Sequence, residues 1–160
     1  MPAQPVADSL AWTVQVAAYG TLEKALAEAD RLAAADLDAF VTPHVVAAGR
    51  SGGGTVWYRV LAGAYPTRDR AAAAREQYWR RGLAPRGQGH LLRAPYSIEI
   101  AAPHAGDLDG LRRRGIPAVG GPQGRLLVGA FETPEQAGLA EAQIKRAGIR
   151  ATLIARVGTP

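Results

Sequence analysis

The chain has 160 residues, 48% hydrophobic and 21% charged, the balance of a globular protein with surface enough to bury for one domain or two small ones. It contains no cysteine, which excludes disulfide frameworks, thiolate metal sites and cysteine nucleophiles. The net charge of +5 rests on arginine, 17 of the 19 basic residues, and suits an anionic partner: phosphate, a carboxylate-bearing polysaccharide or an acidic membrane face.

Met1 to Ser9 has neither the basic nor the apolar region of a leader, and no stretch approaches the ~18 apolar residues that cross a bilayer. The expectation is a cytosolic protein or an excised part of a longer exported one. Trp12 to Ala18 alternates as a strand, with Trp12, Val14 and Val16 on one face and Thr13, Gln15 and Ala17 on the other. Thr21 then caps a helix whose Leu22, Ala25, Leu26, Ala29 and Leu32 recur at helical spacing. Phe40 to Ala47 is a second strand, with Pro43 pointing to an edge or a bulge. Gly49 to Gly54 lacks the Gly-Lys-Ser/Thr ending of a phosphate loop and reads as a hairpin connection to a third strand, Val56 to Ala62. Thr67 caps an alanine-rich helix that closes at Arg80-Arg81-Gly82. Past Pro85 and Gly87, a short last strand falls at His90 to Arg93.

The second half opens with a strand at Ser97 to Ala101 and a helix of about two turns, Asp107 to Arg114. Ala118-Val119 and Arg125 to Ala130 form a hairpin around Gly120-Gly121-Pro122. Thr133, Pro134 and Gln136 start the next helix as a capping box, Gly148 ends it, and Ile149 to Val157 is the final strand. The two halves are related. Tyr58 to Tyr65 returns as Gly124 to Phe131, 66 positions on, and Thr67, Ala71 and Gly82 return as Thr133, Ala137 and Gly148. Trp12 to Ala18 returns as Tyr96 to Ala102 at an offset of 84, so the second copy has lost most of one helix. The order implies an α+β chain of two tandem βαββαβ units of ferredoxin-like or RNP-like type, residues 10–93 and 94–160, each an antiparallel sheet with helices on one face. Alternation turns Val14, Val16, Tyr58, Val60 and Ala62 toward the helices. It turns Gln15, Trp57, Arg59 and Leu61 toward the side that no helix covers, a candidate binding surface.

The first half resembles the SPOR domain family. The resemblance lies in Val14-Gln15-Val16-Ala17-Ala18-Tyr19, a helix, Trp57-Tyr58-Arg59-Val60-Leu61-Ala62-Gly63-Ala64-Tyr65, and a helix opening at Thr67. It implies a bacterial envelope location and binding to peptidoglycan glycan strands stripped of their stem peptides, as at division septa. It assigns the glycan contacts to Gln15, Ala18, Trp57, Arg59 and Leu61, with Ala18 standing where the family often has a small hydroxyl residue. In the second copy Glu99 replaces the glutamine and Gln123 the tryptophan, leaving Arg125 as the candidate contact. The chemistry agrees: an aromatic face and amide and guanidinium donors suit a sugar ring and its hydroxyls, and Arg59 suits a lactyl carboxylate.

No catalytic, cofactor or metal constellation is expected. His44, His90 and His104 lie apart with no helical-spacing partner, Ser9 and Ser97 lack a Gly-x-Ser-x-Gly context, Ser51 falls in the glycine-rich hairpin connection, and Arg112 to Arg114 read as a solvated helix end. The leading expectation is a non-enzymatic glycan-binding module, a monomer or part of a larger exported protein. A nucleic-acid-binding module is the alternative, weakened because Trp57-Tyr58-Arg59 lacks an aromatic-x-aromatic pair. A purely structural assembly, with the sheets of the two copies packed together, is the third.

Overall fold

The computed structural model describes residues 10–47 and 54–156. The Gly49 to Gly53 part of the expected hairpin connection and Val157 of the expected last strand lie outside those residues. The elements are β1 (Trp12–Tyr19), α1 (Leu22–Ala34), β2 (Ala39–Ala47), β3 (Gly54–Tyr65), α2 (Arg68–Arg80), β4 (His90–Arg93), β5 (Tyr96–Ile100), α3 (Asp107–Arg113), β6 (Ala118–Gly120), β7 (Leu126–Phe131), α4 (Pro134–Arg146) and β8 (Thr152–Ala155). They build an α+β protein with two four-stranded antiparallel sheets, ordered β2-β3-β1-β4 and β6-β7-β5-β8. The order is the same in both: first strand central, last strand on its outer edge.

Threonine decides where three of the helices begin. The hydroxyls of Thr21, Thr67 and Thr133 accept the backbone N–H of Lys24, Arg70 and Gln136. The expected capping box at Thr133 is altered, since the Gln136 amide oxygen accepts from Glu132 N–H, one residue before the cap. The short α3 has Gly106 at its start and no side-chain cap; Asp107 instead accepts from His104 N–H. β4 forms despite Pro85 and Gly87 because α2 holds the loop before it. Trp79 Nε1 donates to the Gln88 carbonyl at 2.7 Å and Arg75 to the Gly89 carbonyl at 3.1 Å.

One core lies between the first sheet and its helices, around Val14, Val60, Leu32, Ala71 and Tyr78; another lies beneath α3 and α4, around Ile98, Val128, Leu111 and Ile144. The recurring Gly-Ala-aromatic string has a geometric cause. Gly63 and Gly129 sit mid-strand at φ +74° and +68°, next to register shifts in the pairing with β1 and β5. A Cβ on Gly129 would meet the Phe131 ring at 2.4 Å. The bulge exposes carbonyls to the sheet interior, and a buried hydroxyl satisfies them: Thr13 donates to Ala62, and Ser97 donates to Val128 and Gly129. Over the first glycine the Tyr65 and Tyr78 hydroxyls bond one another; at the matching places in the second half stand Phe131 and Ile144, which need no polar partner.

The third apolar cluster joins the halves. Phe40, Leu61, Ala94, Val119 and Ala130 are buried together on the sheet faces that carry no helix, with β2 lying along β6 and β7. Arg112, expected as a solvated helix end, is instead tied down: it makes a bidentate pair with Asp30 of α1, both distances 3.0 Å, and donates to the Ala118 carbonyl.

Gly129→Ala should destabilise the protein by about 2 kcal/mol, because an L side chain there meets both a positive φ and the Phe131 ring. Gly138→Ala, on an exposed helix interior with open space around it, should stabilise by about 0.5–1 kcal/mol. Urea denaturation of the two variants checks the pair. Burial raises the Tyr78 phenol above its ordinary value of 10.0, with the Tyr65 hydrogen bond adding to the rise, and burial raises Tyr65 as well. The folded chain therefore holds those protons above pH 10 while the unfolded chain releases them. The resulting stability is full below pH 10 and declines above it, so melting temperature plotted against pH should fall less steeply beyond 10 in Tyr78→Phe than in wild type.

Candidate functional site

The residues named from the sequence share one face of the first sheet. In the ladders Gln15 lies opposite Leu61, Ala18 and Thr42 flank Arg59, and His44 lies opposite Trp57. The bulge near Val16 keeps them in phase: it moves Ala17 and Tyr19 onto the helix side and leaves Ala18 beside Arg59 on the other.

The face is not uniformly open, and here an expectation is corrected. Leu61 is 1% exposed and Arg59 8% exposed, because the second half covers this end of the sheet. Strand alternation assigns a residue to a side; it does not say what lies on that side. Toward the far end the cover stops. Trp57 is 41% exposed, Ala18 is exposed and Gln15 is half-buried.

Arg59 is held by a residue absent from the sequence-based set. Its Nη2 donates to Glu132 Oε1 of the second half at 3.0 Å, while its buried Nε has no partner among the described residues. The Thr42 hydroxyl, on the neighbouring strand and the same face, is also buried without a partner among those residues. Each such orphan costs about 1–3 kcal/mol, so the joint between the sheets is imperfectly satisfied at this point. Glu132 occupies the position that proline, Pro66, fills in the first half, so the internal repeat gives no signal for it.

The corresponding face of the second half is self-neutralised. Arg125 pairs with Glu99 at 2.9 Å and also reaches Gln123, so the three residues that differ from or match Gln15, Trp57 and Arg59 satisfy one another. Beside them a small cavity of about 40 Å³ lies between the sheets, bordered by Phe40, Ser97, Leu127 and Arg156 as well.

Arg156 also escaped the sequence reading, which placed it in the last strand. It is 2% exposed and has no carboxylate partner among the described residues. Its Nη2 donates to the Gly63 carbonyl at 2.8 Å, its Nη1 to Ala94, and its guanidinium lies 4.8 Å from the centre of the Phe40 ring. Burial lowers its pKa to about 10, against a small raising effect of Asp38, so it remains charged at neutral pH. Among the described residues no three His, Asp or Glu side chains gather where they could hold a metal, and no helix is long and apolar enough to cross a membrane.

Comparison with known proteins returns one family: the SPOR domain model matches residues 9–85. No curated protein and no solved structure matches the chain.

Trp57→Ala should leave the melting temperature within about a degree of wild type, since the ring stands at the uncovered end. Arg156→Ala should cost about 3 kcal/mol, roughly 6–12 °C for a chain of this size, by leaving a cavity and the Gly63 and Ala94 carbonyls unpaired. Differential scanning calorimetry on both variants measures the contrast.

Proposed function

We propose, on the premise that residues 9–85 belong to the SPOR domain family, that this chain is a non-catalytic module binding peptidoglycan glycan strands that lack stem peptides. The family is a peptidoglycan-binding one, associated with the cell envelope and the septum. In this reading the module carries an exported parent protein to the cell wall. The observation that supports it most is the exposed Trp57 ring on the same sheet face as Gln15, Ala18 and the Arg59 guanidinium. Trp57 is the stacking platform for a sugar ring, Gln15 supplies amide hydrogen bonds, and Ala18 lets the strand approach the backbone closely. Arg59 faces the lactyl carboxylate of muramic acid, and Leu61 is the buried floor beneath it.

Residues 10–93 form the working unit and residues 94–160 a divergent second unit of the same type. The pairing of Arg125 with Glu99 supports a structural role for that unit, since its guanidinium is already spent on a carboxylate of its own sheet. The apolar seam of Phe40, Leu61, Val119 and Ala130 supports it too.

The test is capture on whole peptidoglycan before and after amidase digestion. Wild type should enrich on the digested, denuded material, and Trp57→Ala should lose about tenfold to a hundredfold in affinity while staying folded. Binding should persist from low to moderate salt, where association with a nucleic acid would collapse. Equal capture on both preparations, or capture on neither, would overturn the reading.

A further inference from the structure

Arg59 and Thr42 form a site with a partner missing. Both residues are less than a tenth exposed, they face one another across the β2–β3 ladder, and each carries a polar atom, Nε and Oγ1, that no group among the described residues satisfies. One guanidinium edge is taken by Glu132, whose side chain is 39% exposed and stands at the rim where the covered part of the face gives way to solvent. A planar guanidinium engages a carboxylate best through two parallel N–H donors. Glu132 engages through Nη2 alone. The pair is thus complete in charge and incomplete in hydrogen bonds.

We propose that Glu132 holds the place of a ligand carboxylate on Arg59, and that a carboxylate-bearing sugar displaces it by satisfying Arg59 Nε and Thr42 Oγ1 as well. The inference rests on the glycan-binding reading and adds its selectivity: Glu132 is a positioning residue that keeps Arg59 from weaker acceptors, and Thr42 is a further contact. An exposed carboxylate that swings aside costs little, because a partly solvated ion pair contributes little net free energy. Its replacement gains two hydrogen bonds that the closed form leaves unmade. The backbone of Glu132 need not move, since its N–H is anchored by Gln136 at the start of α4. An uncharged sugar with the same ring and hydroxyls would stack on Trp57 without dislodging Glu132.

The experiment uses the full chain and two preparations of amidase-stripped glycan fragments, one with muramic carboxyls intact and one with them reduced to alcohols. Wild type should prefer the intact fragments. Glu132→Gln should bind intact fragments about two- to fivefold tighter, the range set by releasing a partly exposed ion pair, with no change on reduced fragments. Thr42→Val should weaken binding to intact fragments while the melting temperature stays level or rises, because the hydroxyl it removes is buried with no partner among the described residues. Arginine-specific dicarbonyl labelling of Arg59, read by peptide mass spectrometry without any glycan, should rise in Glu132→Gln. A folded Glu132→Gln that binds intact fragments no tighter than wild type, or gains equally on both, sinks the inference and leaves the glycan reading standing. If wild type and Glu132→Gln both fail to capture either preparation, the glycan reading itself fails and the inference falls with it.

Discussion

A guanidinium buried without a carboxylate is expensive, and at the junction of the two halves stands one with no carboxylate beside it among the described residues. Arg156 leaves water entirely and recovers the loss through the Gly63 and Ala94 carbonyls and the face of Phe40. The geometry ties distant parts of the chain together. Gly63 belongs to the bulge within the third strand, Ala94 to the link between the halves, and the Arg156 backbone bonds Pro95 and Leu10. Removing the side chain would strand two buried acceptors at once. Arg156 thus joins the apolar seam and the Arg112–Asp30 and Arg59–Glu132 pairs in holding the two sheets together.

That cover changes what the first sheet presents. An unaccompanied sheet of this type would show Phe40, Leu61, Arg59 and Trp57 as one continuous surface. Here the apolar end is sealed by Val119 and Ala130, and only the Trp57 end remains open. The seal is good where it is apolar and poor where it meets polar groups, as the unpartnered Thr42 hydroxyl and Arg59 Nε record. Apolar surfaces need only shape, while polar ones need matched donors and acceptors at fixed angles.

The two halves solve the same backbone problem with different side chains. Both bulge at a positive-φ glycine, both cap the bulge with a buried hydroxyl from the first strand, and both roof it with an aromatic ring. The first half adds a tyrosine pair where the second has phenylalanine and isoleucine. The first half keeps Gln15 and Trp57 beside its arginine, whereas the second turns its arginine onto Glu99. The backbone scaffold is shared; the chemistry on its open face is not.

Much of this was legible in the residues themselves. Thr21, Thr67 and Thr133 announce helix starts because a hydroxyl at that position satisfies a backbone N–H within the same few residues. The alternation from Val14 to Val16 and from Tyr58 to Ala62 divides the sheet into its two sides because neighbouring side chains in a strand point opposite ways. Those are local rules, and they placed Gln15, Trp57, Arg59 and Leu61 on one face; Ala18 joins them through the bulge in β1, which alternation does not foresee. They were silent on Glu132, Thr42 and Arg156. Nothing near Glu132 in sequence marks it as the partner of Arg59, 73 positions away, and nothing near Arg156 distinguishes it from a solvated arginine. Burial, ion pairing and the satisfaction of a carbonyl across a seam depend on which surfaces meet, and that was decided only when the two sheets packed together.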